Sequence, residues 1–272
     1  MSSSGVRRLE SERAAAPARS GWARLQPGFL SGAPTSKTAI MDANRGMQIP
    51  RTTNSVPDGL KLLIRKFRSR RVLGTQGYAE QAETLIPQYE SISFEQSHRA
   101  ELHLLPTVPS RILDIGAGTG RDAAWFAARG HSVLAIEPTV EFRVAGMMLH
   151  PFSSIEWLDD ALPELTLVLS RDQLFDTIML SAVWMHLDES ERRTGMAKLA
   201  SLLACEGILV LSLRHGPIPA GRRMFEVSAE ETIALAGQYD LVPLLNVQTE
   251  SIQAGNRVAD VTWTRLVFKR PA

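Results

Sequence analysis

The amino-acid sequence predicts an α/β protein whose strands form one doubly wound, mostly parallel sheet flanked by helices on both faces. Three observations predict it. Apolar runs of strand length recur seven times between Arg111 and Phe268. Helix-length segments follow the first, second, fourth and fifth of them, the pattern of βαβ units. A turn with glycines at alternate positions, Gly116–Gly120, follows the first run directly. Composition agrees: 44% apolar and 22% charged residues over 272 positions exclude collagen-like, wholly disordered and coiled-coil classes.

Taken in order, Tyr78 to Leu105 reads as one or two helices, with Pro87 placing a break or a fresh start. Strand Arg111–Asp114 leads into the glycine turn. The helix after it, Asp122–Arg129, ends at Gly130, a usual C-terminal residue. Strand Ser132–Ile136, helix Val140–Leu149 and short strand Ile155–Leu158 follow. Phe175–Leu180 and Ile208–Leu213 read as buried strands on either side of a helix over Ser190–Leu203. Ser228 caps a helix over Ala229–Ala236. Strands Leu241–Val247 and Val261–Phe268 close the chain, with a loop around Gly255 between them.

The near-zero net charge of +1 conceals an asymmetry. Residues 1–71 carry 14 basic and 4 acidic side chains, whereas residues 72–272 carry 16 basic and 25 acidic ones. Residues 1–57 hold five prolines among Ser, Ala, Thr and Gly with no sustained apolar period, and are expected to be a disordered basic leader. Its composition resembles an organellar transit peptide, or a bacterial leader upstream of a start at Met41 or Met47; the bacterial reading is preferred. Residues 58–75 are expected to form a basic amphipathic helix with Leu60, Leu63, Ile64 and Phe67 on one stripe, docked on the acidic body. Residues 76–270 form the expected globular domain. No run approaches the ~18 apolar residues of a membrane span. One cysteine, Cys205, excludes an intrachain disulfide framework and a zinc site of several thiolates, and is expected to pack in the interior. A reducing, cytoplasmic setting is the expectation.

The segment RILDIGAGTGRDAAWFAARGHSVLAIEP, residues 111–138, carries the chemistry. Glycines between a strand and a helix allow a tight turn and a close ligand approach. A dinucleotide fingerprint counted from Gly116 wants a glycine at its sixth position, where Arg121 stands. Carboxylates at Asp114 and Asp122 would repel a pyrophosphate at that helix start but suit a cationic ligand. S-adenosylmethionine, with an ammonium and a sulfonium, is such a ligand. Here the sequence resembles the class I S-adenosylmethionine-dependent methyltransferases. Asp114-x-Gly116-x-Gly118-x-Gly120, with Ala117 inside it, matches their first motif. The resemblance implies a Rossmann-like seven-stranded sheet with an antiparallel final strand. It implies that Glu137, ending the second strand, holds the ribose hydroxyls. It places an acidic residue near the adenine amino group at Asp159 or Asp160, with Asp159 preferred. Simpler roles compete: Asp114 tying down the turn, Glu137 entering a helix, and the Asp pair capping the next helix.

In FDTIMLSAVWMHLDESE, residues 175–191, Ser181, Trp184 and His186 match the positions that the family uses after its fourth strand. Ser181 is expected at the cofactor. His186 is the preferred general base, against a loop or capping role, and His215 is a second candidate. The Asp/Asn-Pro-Pro-Tyr/Phe motif is absent, which argues against methylation of exocyclic amino groups of DNA. Arg214, Arg222 and Arg223 follow the fifth strand, and a guanidinium there suits an acceptor carboxylate or phosphate. Tyr78, Trp184, Arg222 and Arg223 are the expected acceptor contacts, with residues 76–106 as a helical lid over the site. No metal is expected. The implied activity is methyl transfer from S-adenosylmethionine to a small-molecule acceptor, with nucleic acid not favoured as a partner. The alternatives are an RNA or protein methyltransferase recruited by the basic segment, and an S-adenosylmethionine-binding regulator without chemistry.

Overall fold

The computed structural model describes residues 72–272. The expected leader over 1–57 and nearly all of the expected helix over 58–75 lie outside the described residues. Of that helix only Val72–Thr75 are described, and they form a turn closed by the Thr75 N–H on the Val72 carbonyl at 3.3 Å.

A seven-stranded sheet carries the domain, in the order β3-β2-β1-β4-β5-β7-β6. Its strands are β1 Arg111–Ile115, β2 Ser132–Ile136, β3 Ile155–Leu158, β4 Phe175–Leu180, β5 Leu203–His215, β6 Val242–Glu250 and β7 Thr262–Lys269. β1 to β5 pair in parallel. β7 inserts antiparallel between β5 and β6. Successive residues along the central strands face opposite sides. Leu113, Ile178 and Leu209 join one buried cluster, whereas Ile112, Met179 and Val210 join the other. Burial on both faces explains why these strands read as continuous apolar runs.

The helices are α1 Ala82–Glu90, α2 Phe94–Ser97, α3 Arg121–Ala127, α4 Val140–Leu149, α5 Thr166–Leu169, α6 Glu189–Leu202, α7 Ala229–Gly237 and α8 Ala254–Val258. Two single turns of 3₁₀ helix, Leu102–Leu104 and Trp184–His186, supplement them. β2, β3, β4 and α4 have the expected bounds. Pro87 breaks nothing: it lies inside α1, and the chain turns four residues later, where Ser93 and Gln96 form a reciprocal capping box that starts α2. The fifth strand begins at Leu203 rather than Ile208, because α6 runs into it without a loop and Arg270 pairs with Glu206 and Gly207 through the backbone. The loop expected around Gly255 contains α8, and α5 was not expected at all. A four-residue helix spans too little sequence to show a period. Cys205 is exposed rather than packed, since this first part of β5 lies at the surface. Among the described residues, no helix is long and apolar enough to cross a membrane.

Candidate active site

The parallel strands β1, β2 and β4 end on one side of a cavity of about 670 Å³, a volume suited to small-molecule ligands. The switch point of this sheet lies between β1 and β4, where successive crossovers leave in opposite directions and a crevice must open. The far wall comes from the segment before β1, including Tyr78, Leu85 and Tyr89.

The glycine turn is anchored from β2. The Gly116 and Ala117 N–H groups both donate to the Ile136 carbonyl, at 2.8 and 2.9 Å. The Gly118 N–H donates to Glu137 Oε2 at 2.8 Å, while the Thr139 N–H donates to Oε1 at 2.7 Å. Gly116 and Gly118 hold φ of +69° and +57°, the left-handed region that side chains resist. Their surroundings differ. A Cβ on Gly116 would lie 2.4 Å from Val183 Cγ2, so the turn is packed against the residue after β4. A Cβ on Gly118 would meet nothing nearer than Tyr89 at 4.0 Å, so the space over Gly118 belongs to the cavity. Gly120 opens α3 beneath Trp157 and does not line the cavity.

Asp114, one residue before the end of β1, lies on the cavity wall, 1% exposed, and its Oδ2 is buried without a hydrogen-bond partner. The turn is tied by Ile136 and Glu137, not by Asp114. Burial, with the charge of Asp122 behind it, pushes the Asp114 carboxyl up to about 8. Asp122 is held differently. Arg121 pairs with Oδ1 at 2.7 Å; Ser181 Oγ donates to Oδ2 at 2.8 Å, and His98 Nε2 lies 2.8 Å from the same oxygen. Burial opposes ionisation of Asp122, but the charges of Arg121 and His98 outweigh it, and the carboxyl stays well below its usual range. The other His98 nitrogen meets Glu101 at 2.8 Å. Burial works against a charge on His98, yet these two carboxylates raise its pKa. Glu101, Arg121 and Arg265 were not singled out from the sequence as site residues; Arg265, a cation in the middle of the β7 run TWTRLVFK, was the available signal.

Two expected adenine contacts have separate surroundings. Asp159 is half-exposed, pairs with Arg143 at 3.0 Å and does not line the cavity. Asp160 does line it, and its carboxylate accepts from the N–H groups of Ala161, Leu167 and Val168 at 2.7–3.0 Å, steadying α5.

At the opposite end, Tyr78 and His186 meet across 108 positions, with the phenol 3.0 Å from Nε2. His186 Nδ1 lies 2.7 Å from the Arg223 carbonyl. A carbonyl only accepts, so Nδ1 carries the proton and Nε2 receives the Tyr78 O–H. Burial, aided by Arg222, Arg223 and Arg214, lowers the His186 pKa and keeps the ring neutral. Burial also raises that of Tyr78. Arg222 lines the cavity with its guanidinium 3.7 Å above the Tyr78 ring. Arg223 does not; it pairs with Glu191 at 2.7 Å and Asp188 at 3.0 Å. Trp184 is wholly buried in the core beneath the site, and His215 bonds Thr264 at 2.8 Å away from the cavity. The residue just after Ser181, Ala182, holds φ of +61° with its N–H on Ser212 Oγ. Among the described residues, no group of three His, Cys, Asp or Glu is placed to hold a metal ion.

A parallel sheet closed by a β5-β7-β6 antiparallel edge, with its glycine turn and acidic residues at one crevice, defines a class I methyltransferase fold. Residues 112–207 match the family model described as a methyltransferase domain. The match lies within this fold, and solved S-adenosylmethionine-dependent methyltransferases share it. The chain is similar to the N-methyltransferase NodS of Bradyrhizobium japonicum in complex with S-adenosyl-L-homocysteine, at 18% identity and a TM-score of 0.55 over 71% of this chain and 96% of that one. It is similar to the 1,6-didemethyltoxoflavin-N1-methyltransferase of Burkholderia thailandensis with bound 1,6-didemethyltoxoflavin and S-adenosylhomocysteine, at 18% identity and a TM-score of 0.52 over 76% and 94%. A TehB-like methyltransferase of Corynebacterium glutamicum shares 20% identity at a TM-score of 0.51 over 70% and 98%. No curated protein matches the sequence.

Proposed function

We propose that the chain binds S-adenosylmethionine in this cavity and transfers its methyl group to a small-molecule acceptor. The observation that carries the reading is the buried, unpartnered Asp114 Oδ2 beside the open space over Gly118. A buried carboxyl with no partner on its Oδ2 ionises readily only when a cation binds against it, whereas an anionic pyrophosphate would meet Asp114 and Asp122 instead. Asp114 suits the amino-acid ammonium. Glu137 lines the cavity and keeps lone-pair capacity beyond its bonds from Gly118 and Thr139, so it can accept from a ribose hydroxyl. Ser181 holds Asp122 in place, and Asp160 presents the backbone near α5 to the base.

The cofactor supplies a methyl carbon already activated by a positive sulfur. The chain's own work is to align the acceptor and exclude water. Tyr78, Leu85 and Tyr89 roof the cavity from the segment preceding β1. The neutral His186 Nε2 is the proton acceptor, and the Tyr78 hydroxyl bonded to it presents that capacity to the cavity. Arg223 positions His186 by accepting its Nδ1–H and by anchoring to Asp188 and Glu191. The roofed cavity supports a small acceptor over a macromolecule. Calorimetry tests the cofactor: S-adenosylmethionine and S-adenosylhomocysteine should bind, and NAD binding tighter than either overturns the assignment. Release of S-adenosylhomocysteine over metabolite fractions then tests turnover, and binding without turnover in any fraction favours a regulator.

A further inference from the structure

Among the described residues, four arginines line the cavity, and they are not equivalent. Arg121 is neutralised by Asp122 at 2.7 Å, and Arg265 lies 3.8 Å from Glu101. Arg214 and Arg222 have no carboxylate partner among the described residues. Arg222 donates to the Gln76 carbonyl at 2.9 Å and to Gln81 Oε1 at 2.7 Å. Arg214 donates to the carbonyls of Pro217 at 2.8 Å and Gly216 at 3.4 Å. Every one of these partners is neutral. They orient the two guanidinium groups, and among the described residues no carboxylate pairs with either charge.

The placement is specific. Arg222 stacks on the Tyr78 ring, and Tyr78 touches His186, so the surplus charge sits beside the proposed proton acceptor. Arg214 acts through space on Tyr78 and His186 alike. Two cations next to an imidazole that must take up a proton work against that step. The neighbouring Arg223 shows the alternative arrangement, a guanidinium paired with Asp188 and Glu191. Arg214 and Arg222, half-buried at the cavity wall, keep donor capacity that an anionic ligand can use.

We infer that the acceptor carries an anionic group, a carboxylate or a phosphate, and that Arg214 and Arg222 hold it at the Tyr78–His186 end of the cavity. The inference rests on the methyltransferase reading and names the acceptor's chemical class. A planar guanidinium suits either anion, and two of them fix its orientation. The bound anion also compensates the field on His186, so acceptor binding raises the affinity of Nε2 for a proton when one must be taken up.

The test uses the full chain loaded with saturating S-adenosylhomocysteine and three probes followed by ligand-observed NMR: benzoate, its neutral isostere benzamide, and inorganic phosphate. Saturable binding of benzoate or of phosphate is expected, with benzamide at least about tenfold weaker, and the probe that binds assigns carboxylate or phosphate. Arg214→Gln and Arg222→Gln should each weaken that binding about tenfold or more. Melting curves check that each variant folds, and Arg214→Gln keeps the test open if loss of the Gln76 and Gln81 bonds unsettles Arg222→Gln. The inference is overturned if neither anion binds better than benzamide, or if binding persists unchanged in both variants. Anion binding that survives while S-adenosylhomocysteine fails to bind supports the arginine site and counts against the cofactor assignment alone.

Discussion

Asp114→Asn tests the site through two effects of opposite sign. In the ligand-free fold, the Asp114 pKa stands near 8 against an ordinary 3.8. A carboxyl raised on folding subtracts stability as pH climbs from its unfolded pKa towards its folded one. At pH 7 the folded chain therefore holds a proton that the unfolded chain has released, a penalty on the order of 4 kcal/mol as an upper bound. Asparagine removes the ionisation but remains a buried amide short of partners, at a cost of about 1–3 kcal/mol. The net gain in stability is about 1–3 kcal/mol, or roughly 3–10 °C in Tm for a domain of this size. The same change removes a charge-assisted bond to the cofactor ammonium worth about 1.5–3 kcal/mol, so affinity for S-adenosylmethionine falls about 10- to 150-fold. Thermal melts of the apo chain and calorimetry with S-adenosylmethionine measure the two effects. The Tm gain should shrink as pH falls towards 3.8 and vanish below it, where both states carry the proton. A lower Tm at pH 7, or affinity within about threefold of wild type, refutes the reasoning.

Gly118→Ala should leave the fold largely intact, apart from the strain of a positive φ, and abolish cofactor binding. Gly116→Ala should unfold the domain or lower its Tm sharply, because the added carbon meets Val183; equal effects at the two positions would contradict the packing described. Glu137→Ala should weaken S-adenosylmethionine about 10- to 150-fold and also lower Tm, since it strands the Gly118 and Thr139 N–H groups; an affinity loss under about threefold would make Glu137 purely structural. With an acceptor in hand, kcat/KM should fall as pH drops through a His186 pKa lying below the ordinary 6.5, because protonation removes the Nε2 lone pair. Arg222→Gln should move that limb upward, and an acid limb above 6.5 in the wild type would exclude His186 as the base.

Much of the fold was legible because it is local. Burial on both faces writes β2, β3 and β4 as uninterrupted apolar runs, and these have the expected bounds. The glycine turn was legible for the same reason, since its geometry depends on residues within one short segment. The errors came where tertiary contacts overrode local signals. Pro87 stays inside α1, and α5 forms on so few residues that no period marks it. The start of β5 depends on pairing with Arg270, far along the chain.

The sequence by itself determined the alternation of strands and helices, the glycine turn after β1, and the run of residues from Asp114 to Glu137 that shapes one end of the cavity. These follow from periodicity and spacing, which a linear chain displays directly. Only the tertiary structure decided which polar groups are satisfied. It separated Asp114, whose Oδ2 has no partner, from Asp122, which holds Arg121, His98 and Ser181. It joined Tyr78 to His186, sent Trp184 into the core, and divided three neighbouring arginines into a paired Arg223 and, at the cavity, Arg214 and Arg222 with no carboxylate partner among the described residues. The physical reason is that charge and hydrogen-bond balance is summed over everything within a few ångströms in space, and partners in that sum such as Arg222 and Gln76 lie 146 positions apart in the chain.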